Sequence, residues 1–270
     1  MRDFTQLVGG VKFDLPPDPA FPPVAFAAAG GDVSTLPRRH MLRLGGRQYQ
    51  ADAGSCVAHG YSAAVESYAA EQGMGLQLCR QDIYFGARWV ERNGAETRDG
   101  GAYPSKAREW LSNYGTVTEA RKPYKASDVT TWRPPTEWAA DRKLLAVGFD
   151  AVPRTPDHLM TRVAQGQAVV ICHLVYSTLF HLGVGGIEGG VQGGVQGGHC
   201  RTIVGYDRLR PTNGYGTGAF LVLNSWQGWG IAHPTQDGVD SMSWVPFSVM
   251  ADPKWLNDAA VVERPPEIYP

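Results

Sequence analysis

The chain has 270 residues, a length that supports one large domain or two lobes sharing a cleft. Its 25 basic and 26 acidic residues are dispersed and leave a formal net charge of −1, which argues against nucleic acid or an anionic membrane as a partner. The longest apolar runs, Ala25 to Ala29 and Ala168 to Cys172, fall far short of the ~20 residues that span a bilayer. Four scattered cysteines, at 56, 79, 172 and 200, contain no CxxC pair, so neither a disulfide framework nor a zinc site is expected and reduced thiols are.

The N-terminal stretch carries Asp3 and no apolar core followed by a small-residue cleavage site, so no Sec signal peptide is read there. This leaves a cytoplasmic or virion-associated protein as the expectation. From Leu15 to Pro23 the string LPPDPAFPP fixes φ repeatedly and withholds backbone donors, which predicts an extended arm. Residues 1–37 are therefore read as a Pro-rich extension, available to a protein partner or an assembly.

Residues 38–135 read as a mainly helical lobe. Val57, Tyr61, Ala64, Val65 and Tyr68 recur at helical spacing between a capping Ser55 and Gly73. Further helices are predicted from Leu78 to about Arg92 and from Ser105 to about Tyr114. Residues 136–270 read as a β-rich lobe, with strands predicted at Leu144 to Phe149, Ala168 to Leu174, Cys200 to Tyr206 and Ala219 to Leu223. Between Gly183 and Gly198 nine glycines fall in sixteen residues, read either as a surface loop or as a flap that ends at His199.

A thiol is a nucleophile as thiolate, and the first turn of a helix stabilises that anion. Cys56 occupies such a position; Cys79, Cys172 and Cys200 lack it and read as buried apolar residues. Gln50, six residues earlier, can donate its carboxamide N–H to an oxyanion together with the Cys56 backbone N–H. His59 lies on the same helix surface three residues after Cys56, whereas a base should approach from across a cleft, so it is set aside. His40, His158, His173, His181 and His233 read as structural.

The string QADAGSCVAHGYSAA resembles the nucleophile segment of the papain family of cysteine peptidases. QGGHCRTIVGYD, from Gln196, resembles its catalytic-histidine strand, and FLVLNSWQGWG, from Phe220, its Asn-Ser-Trp motif. DGGAYPSKAREWLSNYGTVTEARKPY, from Asp99 to Tyr124, resembles the Gly-Gly segment that pairs with extended substrate and the helix after it. The resemblance spans about Leu36 to Val262 and implies an α+β, papain-like two-lobed fold, a helical lobe plus an antiparallel β-barrel-like lobe, with the active site in the cleft between them.

The same resemblance implies peptide-bond hydrolysis through a thioester, with Cys56 as nucleophile, His199 as acid/base, Asn224 orienting the imidazole and Gln50 in the oxyanion hole. Trp226 would shield the His–Asn bond, and Gly100 and Gly101 would bind substrate. No metal or cofactor is implied, and the partner is a polypeptide substrate. Ala53 and Arg98 stand where secreted relatives carry a disulfide pair, Val57 replaces the usual Trp after the nucleophile, and Gln227 replaces Gly in the Asn-Ser-Trp loop. The extension is too short to resemble the long helical inhibitory propeptide, so autoinhibition by that route is not expected. The rival readings are a transglutaminase-like or amidase thiol enzyme, which Gln50 and Asn-Ser-Trp disfavour, and a papain-fold component of a larger assembly, such as a phage particle, with a vestigial site.

Overall fold

A computed structural model describes residues 10–12, 33–92 and 98–266. The Pro-rich stretch at 15–23 lies outside the described residues. Strand β1 (Arg39–Met41) is followed by three helices, α1 (Cys56–Glu71), α2 (Arg80–Glu91) and α3 (Pro104–Asn113), each within two residues of the span its sequence predicts. Then come α4 (Ala139–Leu144), β2 (Gly148–Ala151), α5 (Pro156–Ala164), β3 (Val169–Tyr176), β4 (Val195–Pro211), β5 (Thr217–Leu223), β6 (Met242–Pro246), α6 (Phe247–Met250) and β7 (Leu256–Arg264).

Helix α1 is central, with thirteen of its sixteen residues buried, so small residues and not an amphipathic stripe dominate it. It packs across β4 at Gly60, where a Cβ would stand 2.7 Å from the Cys200 sulfur. The Thr202 hydroxyl donates to the Gly60 carbonyl at 2.9 Å across the same contact. The helix that begins at Cys56 is thereby seated on the strand that carries His199.

The strands form one antiparallel sheet in the order β2-β7-β3-β4-β5-β6, with β1 pairing on β4. The sheet is open, with β2 and β6 at its ends, so the barrel-like expectation holds in its antiparallel order and not in closure. The strand predicted from Leu144 starts at Gly148, because residues 139–144 close a helix whose last residue, Leu144, is exposed. Helix α5 was not predicted, although Thr155 caps it by accepting from the His158 backbone N–H and Pro156 opens it. Among the described residues no helix is long and apolar enough to cross a membrane.

The glycine-rich segment is tied down. Its last four residues, Val195 to Gly198, belong to β4, and Gly197 and Gly198 pair with Val175 and Leu174 of β3. Ile187 is buried and bridges Trp244 of β6, and the Glu188 N–H donates to the Trp244 carbonyl at 3.0 Å.

Candidate active site

The turn from Gln50 to Ser55 delivers Cys56 as the first residue of α1, fully buried. The Cys200 backbone N–H acts on the thiol from close by, so Cys56 lies near the residue that follows His199. Its own N–H and that of Val57 add the stabilisation expected of a helix start. Burial outweighs these donors and pushes the Cys56 thiol up to about 12.

His199 sits in β4, also fully buried, and its Nε2 lies 2.7 Å from Asn224 Oδ1. Because an amide oxygen only accepts, Nε2 carries the proton and Nδ1 is left with a lone pair. Nδ1 has no hydrogen-bond partner among the described residues. Trp226 stacks on the imidazole with centroids 4.5 Å apart and planes 25° from parallel. Burial first, and the Arg201 cation second, pull His199 down to about 3. Both groups are thus held neutral, and no hydrogen bond joins the Cys56 thiol to His199 Nδ1.

Gln50 is fully buried; Nε2 donates to the Ala53 carbonyl at 2.8 Å, and Oε1 accepts from the Ser225 hydroxyl. The amide's second N–H is therefore the one left for an oxyanion. Ser225 follows Asn224, whose Oδ1 also accepts the Ser225 N–H at 2.7 Å, so the two flanking groups of the site share one support. On the helical side Tyr124 donates to the Gln50 carbonyl at 3.0 Å and its hydroxyl lies 2.7 Å from that of Ser55. His59 is buried with Nδ1 at 3.0 Å from the Ser55 carbonyl, one turn back on its own helix, and burial lowers it to about 3.

Residues 10–12 of the N-terminal extension lie over this site. A Cβ on Gly10 would stand 2.7 Å from both the Cys56 sulfur and the Gly54 carbonyl oxygen. Ala102 donates its N–H to the Gly10 carbonyl at 2.9 Å and accepts from Lys12 N–H at 3.0 Å, with Val11 bridged parallel to Ala102 and buried. The Lys12 ammonium holds Glu91 at 2.8 Å. The sequence gives the extension no place at the site; the structure puts it there, through backbone bonds and a glycine that leaves no sequence pattern.

The arm pairs with Ala102 and not with Gly101, whose N–H donates to the Tyr84 hydroxyl at 3.1 Å. Gly100 lies beside the arm, with its Cβ position about 4 Å from the Lys12 side chain. Tyr84 in turn donates to Asp99, and the Asp99 carboxylate accepts the Gly54 N–H at 3.0 and 3.1 Å. Arg88 covers the Tyr84 ring at 3.9 Å and donates to the Arg98 carbonyl at 2.6 Å. Beside Ala53 and Arg98, hydrogen bonds from Asp99 and Tyr84 join the nucleophile turn to the 99–101 segment.

Sequence reasoning missed Gly10, Asp99, Tyr84, Tyr124, Ser225, His173, Arg201 and Glu188. His173 faces His199 through the register of β3 on β4, which the predicted spans of the two strands do not fix. Among the described residues no cluster of His, Cys, Asp and Glu is arranged to hold a metal ion.

A family model described as papain family cysteine protease matches residues 37–232. Among solved structures, the chain is similar to xylellain, a cysteine protease from Xylella fastidiosa, with a TM-score of 0.75 and 20% identity over 96% of this chain and 97% of that one. It is similar to digestive procathepsin L 3 of Tenebrio molitor larval midgut, with a TM-score of 0.66 and 16% identity over 96% and 77% of the two chains. The bromelain protease from Ananas comosus, solved with the E64 inhibitor, gives a TM-score of 0.61 and 17% identity over 84% and 99%. No curated protein matches the chain.

Proposed function

Because the chain belongs to the papain family of cysteine proteases and is a cysteine peptidase, we propose that Cys56, His199 and Asn224 are its triad and Gln50 its oxyanion donor. The observation that carries this reading is the 2.7 Å bond from His199 Nε2 to Asn224 Oδ1, which leaves Nδ1 as the ring's free base beside a strand residue that lies close to the Cys56 thiol.

In this mechanism His199 Nδ1 takes the proton from Cys56, and the thiolate adds to the scissile carbonyl carbon. The oxyanion is held by the Gln50 Nε2–H and the Cys56 backbone N–H. As the tetrahedral intermediate collapses, Nδ1–H protonates the leaving amine and a thioester remains on Cys56. Water, deprotonated by His199, then attacks the thioester; the new carboxylate leaves and the thiol is restored. Asn224 keeps the ring in the tautomer and orientation that this sequence of proton transfers requires.

The substrate is a polypeptide lying extended along the 99–102 segment, where residues 10–12 now run. Three of the similar solved structures are proforms by their descriptions, and the arm over Cys56 supports the same latency here. With Gly10 against the sulfur, the thiol is held neutral and out of reach; departure of the arm admits water and substrate together and allows the thiolate–imidazolium pair to form.

An epoxysuccinyl inhibitor read by intact mass tests this. One adduct is expected, absent in Cys56→Ala and formed faster once residues 1–12 are removed. A chain that takes no label with the arm removed sinks the peptidase assignment. Equal labelling rates with and without the arm sink the latency.

A further inference from the structure

Arg201 and Glu188 form an ion pair with both side chains essentially inaccessible, 0% and 1% exposed. Arg201 donates from both terminal nitrogens to the Glu188 carboxylate, and Ser243 donates to the same carboxylate. Its third donor, Nε–H, is given to His173 Nε2 at 2.8 Å, while His173 Nδ1–H goes to the Leu174 carbonyl at 2.9 Å. This locks His173 as a neutral ring, stacked on Trp255 at 4.2 Å. Trp229 and Trp255 flank the Arg201 guanidinium at 5.9 and 5.7 Å.

A fully buried pair of this kind is poor evidence for stability, because apolar residues of the same volume pack as well at lower desolvation cost. Its position points elsewhere. Arg201 is two residues beyond His199 on β4, hence on the same face of the sheet. His173, the register partner of His199, lies with its ring centroid 6.0 Å from the catalytic ring. Around His199 the charged and titratable groups are Cys56 and His59 from α1, His173 from β3, Arg201 from its own strand and Glu188 behind Arg201. Asn224 and Trp226, which bond and cover the ring, are neutral. Arg201 is the cation in this group, and Glu188 is its direct counter-charge.

We infer that Glu188 and Arg201 are positioning residues for His199: the carboxylate partly offsets the guanidinium's repulsion of the imidazolium formed in catalysis and pins the glycine-rich segment to the catalytic strand. Without Glu188, a naked cation would stand beside a ring that must become one. Because Glu188 also bonds β6 through its backbone, the same residue converts the glycine-rich segment from a free loop into a wall behind the catalytic strand. This inference rests on His199 as the proton carrier, as proposed above.

The test is the ring titration of His199, followed by NMR on the full chain labelled at histidine carbon, with the signal assigned by its loss in His199→Gln. Glu188→Gln, with Arg201 left uncompensated, is expected to move the midpoint to lower pH by about one unit. Glu188→Asp, which keeps the charge, should stay near the parent. The double change Glu188→Gln with Arg201→Met removes both charges and should move the midpoint above the parent; if Glu188→Gln alone does not fold, this opposite sign carries the test. A purely structural pair would alter melting temperature and leave all the midpoints together, which overturns the inference. The titration needs neither hydrolysis nor reaction with the epoxysuccinyl inhibitor, so failure of the peptidase assignment is read separately from failure here.

Discussion

The two walls of the cleft present their reacting groups by different means. His199 lies in a strand that pairs with β3 at its own position and with β5 from Thr202 onward, and the groups around it are held by sheet register. Cys56 ends an irregular turn, with Ala51 at φ +51°, and is placed by helix α1 and by side chains that reach in from elsewhere: Asp99 to Gly54, Tyr124 to the Gln50 carbonyl, Ser225 to the Gln50 amide. A sheet resists local distortion because neighbouring strands share the load. A turn fixed by single side-chain bonds can be loosened one bond at a time. The histidine wall should therefore behave as a unit and the cysteine wall as a sum of parts.

The largest effect expected is at Cys56, the proposed nucleophile. Cys56→Ala should reduce peptide hydrolysis to background, a loss on the order of 10⁴-fold or more, measured as kcat/KM on a fluorogenic peptide after the arm is removed. Gln50→Ala tests whether the cysteine wall is divisible: about 10²- to 10³-fold should be lost in kcat with KM little changed, as for other single oxyanion donors. A loss as complete as that of Cys56→Ala would mean that the turn collapses as one body.

Smaller changes sharpen the contrast. Gly10→Val puts a branched side chain where a Cβ alone would stand 2.7 Å from the sulfur and from the Gly54 carbonyl. The arm should be pushed off, and epoxysuccinyl labelling of Cys56 in the full chain should accelerate about tenfold, the lower range of an overpacking cost. Asp99→Ala removes the bonds from Gly54 and Tyr84 and should lower kcat/KM only about tenfold, the worth of one or two ordinary hydrogen bonds. If Asp99→Ala matched the loss from Gln50→Ala, the parts would not be independent.

The last prediction concerns acid. His59 is held down to about 3 in the folded chain against an ordinary 6.5, so the unfolded chain takes up the proton first. Its contribution to stability is complete above pH 6.5 and is lost as pH falls from there toward 3. Glu66 runs the other way: burial raises it to about 7, so its contribution is complete below the ordinary 4.5 and is lost as pH rises through 7. The two partly cancel between pH 6.5 and 4.5, and the decline should steepen below about 4.5, where only the histidine side continues. His59→Gln should flatten that decline in melting temperature; an unchanged curve would mean that His59 does not drive it.

Much of this was legible from residues alone, and what was legible is local. Helical spacing in α1, the Gly-Ser-Cys start and the strand patterns of residues 169–174, 200–206 and 219–223 are written in neighbouring residues, so they could be read and are found. Leu144 misled because an apolar residue at a helix end looks like the first of a strand run. The arm, the Asp99 bond and the Glu188–Arg201 pair join residues far apart in the chain, and Gly10 acts by having no side chain. None of these leaves a pattern at short range.

The link from Asp99 to Gly54 has a consequence for how such a cleft is made. A disulfide at this point would need an oxidising step to form, and a reductant could undo it. Here the same two segments are closed by a carboxylate, a phenol and backbone N–H groups. Such a closure forms as soon as the chain folds and reforms whenever it opens. A peptidase that needs its cysteine reduced to work can then sit in a thiol-rich medium without trading the integrity of its cleft for the reactivity of its nucleophile.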